Sequence, residues 1–200
     1  MYTTYSIVNT TYSQVTNKAQ ISRSSRDLIE LLIRDVRMSG FKYYLGQNSL
    51  GYPEQSYLQF VGGATTIRDS HDPVVIVPNQ LGHNIGDTVP NPIPRHDATD
   101  LCCDKIHVVY DDFNQLDTLQ PFKRYKVTYY ALPVTDNDGS NPRYAIYKSK
   151  ISWAQARDNP TGSWPATGQW VADGSDCDHK QLVRDHVEDM EFSALDRAGR

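Results

Sequence analysis

The residue pattern changes character once, at Gly40, and that change sets what the chain can fold into. All 11 prolines lie beyond it, and Gly40 is itself the first of the 12 glycines. Before it, Ile21, Leu28, Leu32 and Val36 recur with Ile29 and Ile33 alongside, the spacing of one broad helical stripe. Charged residues fill the gaps, and Glu30–Arg34 is an acid-before-base pair four residues apart, favourable on a helix surface. Gly40 stands where a left-handed C-cap is wanted, and Arg37 suits the negative helix end. The pattern predicts one long helix from about Tyr5 to Ser39, roughly 50 Å at 1.5 Å per residue. Its first part, Tyr2–Ser13, is rich in Tyr, Thr and Ser, which are weak helix formers. Such a stretch is marginal alone in water and reads as an arm packed against something else.

After Gly40 the period shortens to two. Strand patterns are predicted at Ser56–Val61, Val74–Val77, Lys105–Tyr110, Arg124–Leu132, Arg143–Lys150 and Val187–Phe192. The 13 tyrosines, mixed with Val and Thr, suit a half-exposed antiparallel sheet. Turn formers from Asp136 to Pro142 join the fourth and fifth patterns into a hairpin. Two irregular loops are expected, Pro78–Thr99 and Ala154–Asp178, the second carrying Trp164 and Trp170 with Trp153 at its edge. The predicted class is α+β: an N-terminal helix over 1–40 packed on an antiparallel sheet in a β-rich head over 41–200.

Composition removes several function classes. Lys and Arg total 20 against 24 Asp and Glu, a net charge of −4, so broad electrostatic capture of nucleic acid is not expected. No run approaches 18 apolar residues. Residues 1–50 hold six cations against three anions, net +3, whereas residues 173–200 hold four against eight, net −4. These two stretches are suited to pair, within the molecule or between neighbours.

Chemistry-bearing motifs are few. Asp136, Asp138 and Ser140 place oxygens at alternate positions beside Gly139, as calcium loops do, but without a distal glutamate the residues read first as a hairpin tip. Cys102, Cys103 and Cys177 cannot all pair in one chain; a bridge from Cys177 to Cys102 or Cys103 is expected, implying an oxidising compartment. Cys177, His179 and a neighbouring aspartate match no closed zinc spacing. Cys103 and His107, four apart on a strand, lie about 13 Å from one another, too far for a nucleophile–base pair. No nucleophile elbow, P-loop, dinucleotide fingerprint or paired-histidine zinc motif is present. No enzyme activity and no cofactor are expected, with calcium at the Asp136 turn the one exception considered.

The stretch Arg26-Asp27-Leu28-Ile29-Glu30-Leu31-Leu32-Ile33-Arg34-Asp35-Val36-Arg37-Met38-Ser39-Gly40-Phe41 resembles the helix end of type IV pilin-like minor pilins of the PilW kind, related to the J-type pseudopilin of type II secretion. Arg34, Asp35, Arg37, Met38, Gly40 and Phe41 carry the match. Asp100–Tyr110 and Gln181–Phe192 resemble later family elements in the same order, with His186 departing from a family glycine. The resemblance implies a non-enzymatic subunit of a pilus or pseudopilus. Its partners would be other minor pilins, pseudopilins and the major pilin, with a head on the periplasmic side of the bacterial inner membrane. Family members begin with a basic leader and an apolar half-helix; here Tyr2 follows Met1 directly, so that half is expected to have been left out. Leu28, Leu32 and Val36 would anchor the helix, and its Arg/Asp-rich flank would meet neighbouring subunits. A different class, a β-rich adhesion or carbohydrate-binding module, is suggested by Trp153, Trp164 and Trp170 as stacking surfaces.

Overall fold

A computed structural model describes residues 12, 15, 16, 19, 25–47, 51, 54, 55, 57–61, 66–82, 102–113, 122–134, 143–154, 169–171 and 177–194. The chain divides into two units, Met1–Arg37 and Met38–Arg200.

The long helix laid on a sheet is overturned. Among the described residues the chain is mostly antiparallel β, a half-barrel sheet with a single short helix. Among the described residues, helix α1 covers 25–38. Tyr12, Val15, Thr16 and Ala19 are also helical, and the Thr16 hydroxyl donates to the Tyr12 carbonyl at 2.9 Å. Leu28, Leu32 and Val36 are half-buried only, and Ile29 and Ile33 are 55% and 43% exposed. The physical reason for the correction is compositional. Tyr, Val and Thr suit a pleated surface, and beyond Gly40 they outweigh the helical stripe.

Gly40 ends α1 as its position predicts. Its φ is +75°, a Cβ there would stand 3.3 Å from Pro73 Cβ, and the Phe41 amide donates back to the Met38 carbonyl at 3.1 Å.

Among the described residues eight strands follow: β1 (Leu58–Val61), β2 (Thr66–Asp69), β3 (Val74–Val77), β4 (Lys105–Phe113), β5 (Phe122–Val134), β6 (Arg143–Ala154), β7 (Gln169–Val171) and β8 (Asp178–Val187). β1 and β2 form a two-stranded sheet; the other six form one sheet in the order β3-β4-β5-β6-β7, with β8 also on β6. The expected hairpin is β5–β6, Tyr125 facing Ser152 and Val134 facing Arg143. The strand expected at Val187–Phe192 lies earlier, at β8, and β2 and β7 arise where no strand pattern was read.

The sheet is buried on both faces at its centre, not half-exposed. Tyr125, Val127, Tyr129 and Ala131 share one face of β5, each 2% exposed or less, and Arg124, Thr128 and Tyr130 on the opposite face are buried as well. Along β4 the partner positions alternate likewise: Ile106, Val108 and Tyr110 on the apolar face, His107, Val109 and Asp111 on the other.

Candidate functional site

The polar positions of that second face converge on Arg124. Asp111 on β4 stands directly opposite Arg124 on β5, so strand register alone brings the two charges together. Arg124 Nε donates to Asp111 Oδ1 at 2.7 Å and Nη2 to Oδ2 at 3.3 Å; Nη1 reaches both oxygens of Asp69, at 2.7 and 2.8 Å. The guanidinium also lies over the Tyr57 ring, 3.5 Å from its centroid. With its side chain 1% exposed, Arg124 is charged inside the protein only because two carboxylates face it. Those hydrogen bonds hold it more firmly protonated than usual against the opposing effect of burial. Lys42 Nζ adds a 3.1 Å contact to Asp69 Oδ2, so two cations balance two anions.

The network ties separate elements together. Asp69 ends β2, Asp111 lies in β4, and the Tyr43 amide donates to Asp111 Oδ2 at 2.7 Å, while the Tyr57 hydroxyl donates to the same oxygen at 3.1 Å. Burial and the Asp111 carboxylate keep that phenol protonated far above its ordinary range. The smaller sheet is thereby fastened to the larger through one arginine.

His71 follows β2 and is enclosed by rings. Its imidazole meets Trp153 on β6 and Trp170 on β7 edge-on, with centroids at 4.6 and 4.9 Å, and the two indoles, opposite one another in the β6–β7 pairing, are 5.1 Å apart. Arg124 Nη1 lies 3.4 Å from His71 Nδ1. Arginine can only donate, so Nδ1 accepts and the proton sits on Nε2. Burial, then the Arg124 charge, push His71 down to about 4. Ser70 Oγ and Asp69 approach the same Nδ1, at 3.4 and 3.8 Å, which is not a relay through opposite ring nitrogens.

Beside Arg124 a shallow hollow of about 10 Å³ opens, the volume of roughly one water. Tyr43, Tyr57, Phe122 and Trp153 give it rings, Leu45 an aliphatic wall, and Lys123 and Arg124 a basic side. Gln55, 2% exposed, lines it with an amide whose Nε2 donates to the Tyr43 carbonyl at 2.8 Å. Among the described residues Gln55 Oε1 has no hydrogen-bond partner. Tyr43 stacks flat on Phe122, centroids 3.4 Å apart, and Phe113 tilts against Phe122 at 4.9 Å.

The sequence-predicted positions fall elsewhere. Asp136, Asp138, Ser140 and Trp164 lie outside the described residues. The expected Cys177 bridge is not formed. Cys102 and Cys103 are joined to each other, while Cys177 is free, its thiol 3.6 Å from Ser152 Oγ. Topology explains it: Cys102 and Cys103 precede β4, whereas Cys177 precedes β8, across β5 and β6. At about 4.8 Å per strand that separation exceeds what a disulfide spans. Asp189 brings a carboxylate oxygen within 4.8 Å of both sulfurs, but sulfurs bonded to one another do not offer two thiolate ligands. His107 Nδ1 pairs with Thr128 Oγ1 at 2.8 Å and has no role with Cys103. Trp153 and Trp170 meet each other and His71, and Lys126 Nζ lies 4.7 Å over the Trp170 ring. Of the helix residues, Arg34 pairs with its neighbour Asp35 at 3.5 Å, Arg37 is exposed, and Phe41 is 55% exposed. Sequence reading missed Arg124, Asp111, Asp69, His71 and Gln55. The signal available was a charge standing at inward positions of β4 and β5.

Compared with protein-family models, curated proteins and solved structures, the chain matches none. What the geometry offers is a saturated charge network, a neutral enclosed histidine, a small aromatic hollow and an amphipathic helix with apolar residues exposed.

Proposed function

We propose that this chain is a non-enzymatic structural subunit, a minor pilin or pseudopilin that joins and helps prime a type IV pilus or type II secretion pseudopilus. The observation that carries the reading is α1. Its Arg34-Asp35-Val36-Arg37-Met38-Ser39-Gly40-Phe41 end resembles that family's, and it leaves Ile29, Ile33 and Met38 exposed among charged residues. Isolated exposed residues are ordinary, but two large β-branched residues four apart on one helix make a face suited to a neighbouring helix. In this reading the helix continues upstream into an apolar half held in the inner membrane, the β-rich unit stands on the periplasmic side, and related pilin-like subunits are the partners. Support also comes from packing: Arg124 is engaged with two carboxylates and His71 with the Trp153 ring.

Retention of the pilin-like subunits encoded beside this gene, with the 200-residue chain as bait, tests it. Wild type is expected to hold at least one of them. Ile29→Asp with Ile33→Asp should release it while melting stays within the range of surface substitutions, about 0.5 kcal/mol each. Failure of the wild type to hold any pilin-like subunit would end the reading.

A further inference from the structure

We infer that Cys102, Cys103 and Asp189 form a redox-gated site for a thiophilic divalent cation of the zinc class, available when the two cysteines are reduced and closed when they are oxidised. Among the described residues this is the one group of three metal-ligating side chains that converges. Its two sulfurs and a carboxylate oxygen all lie within 4.8 Å of one another. Two thiolates and a carboxylate are a donor set that zinc accepts, with a fourth position left for water. Adjacency in sequence puts both sulfurs just before β4, and the third donor comes from the segment after β8. Asp104, the residue after Cys103, holds that segment there. Its amide donates to the Met190 carbonyl at 2.7 Å, and its Oδ2 accepts from the Phe192 amide at 2.9 Å. Asp189 is oriented in turn by the Met190 amide, which donates to its Oδ1 at 2.7 Å.

Burial suits an ion held among its ligands. Cys102 and Cys103 are 0% and 1% exposed, and structural metal ions are enclosed by their donors rather than seated on an accessible surface. Entry follows local opening of 188–194, which breaks the Asp104 hydrogen bonds and leaves β4 paired with β5. In the oxidised chain the sulfurs are bonded to each other and offer no thiolate. A dithiol reductant changes that. Its thiolate attacks one sulfur, the Cys102–Cys103 bond breaks through a mixed disulfide, and the reductant leaves as its own disulfide. Two electrons and two protons thereby reach the cysteines, and the ion displaces the protons as it binds. Every chain is synthesised with its cysteines as thiols, so ion and oxidant compete for the same two sulfurs. None of the three ligands belongs to α1, so metal binding and subunit assembly stand or fall independently.

Cadmium titration of the full chain, reduced with a phosphine and desalted without oxygen, decides it through the ultraviolet thiolate-to-cadmium charge-transfer band. A single cadmium ion per chain should bind, zinc should displace it, and the oxidised chain should show no band. Cys177→Ser should bind as wild type does. Asp189→Asn keeps both thiols and should weaken binding about tenfold or more, which separates the folded triad from a bare cysteine pair. Bound zinc should also slow closure of the disulfide by oxidised glutathione. The assignment is overturned by no band from the reduced chain, by equal binding in the oxidised chain, or by loss of the band in Cys177→Ser. Full affinity in Asp189→Asn, the same affinity in urea that unfolds the chain, or an unchanged rate of disulfide closure would overturn it equally.

Discussion

His71 is the residue whose environment has the most direct consequence for measurement. Its ordinary value of 6.5 falls to about 4, through burial first and the Arg124 charge second. Between those two values the unfolded chain takes up a proton that the folded one refuses, so stability falls as pH drops from about 6.5 to about 4. Asp69 behaves in the opposite sense. Burial alone would raise it, but hydrogen bonds from Arg124 and the His71 amide hold it below 3.8, so its contribution persists above that value and is lost only as pH falls further. Urea midpoints at pH 7, 6, 5 and 4 should therefore decline for wild type, and His71→Phe, which keeps a ring between the two indoles, should flatten the decline. An unchanged slope in the variant would assign it to other groups. From the sequence, Asp111 and Arg124 were legible as charges, Arg124 within a strand pattern and Asp111 just past the one read at Lys105–Tyr110. Their pairing was not, because it depends on a register that only the fold sets.

At the scale of elements, Asp104 does for the end of the chain what Arg124 does for the smaller sheet. Its carboxylate accepts from the Asn79 amide at 3.0 Å and the Phe192 amide at 2.9 Å, and its own amide donates to the Met190 carbonyl at 2.7 Å. The segment after β8 is thus secured by side-chain chemistry rather than by strand pairing, which is why a strand read at Val187–Phe192 is absent there. Asp104→Ala should leave two amides without acceptors and cost about 1–3 kcal/mol. Hydrogen exchange should accelerate at 188–194 and stay unchanged in β5; equal acceleration of both would mean global destabilisation instead. The period of two located β4, β5 and β6 well, since long alternating runs are robust, and an unbroken β-branched run located β3. β2 and β7 are short, four and three residues, too few to show an alternation of their own. The helical period likewise located α1 over 25–38 and its end at Gly40, but not what the helix packs against.

For the molecule as a whole, the division of charge matters more than its total. The net −4 conceals a basic N-terminal stretch and an acidic C-terminal one, and subunits that meet through such surfaces attract at low salt. If assembly is this chain's role, retention of a pilin-like partner should weaken between about 0.05 and 0.5 M salt, as the Debye length shrinks from over 10 Å to a few ångströms. Binding that strengthens with salt would instead assign the contact to Ile29 and Ile33 alone.

The junction at Gly40 has a mechanical side. The Gly40 amide donates to the Val109 carbonyl at 3.0 Å, the Asp111 amide to the Phe41 carbonyl at 2.9 Å, and the Tyr43 amide to the Asp111 carboxylate at 2.7 Å. Tension applied upstream therefore enters through three neighbouring bonds on β4, a strand held on its other side by β5 along eight residue pairs. A pull reaching residue 40 is passed to β4 and shared with β5 through the backbone of the main sheet.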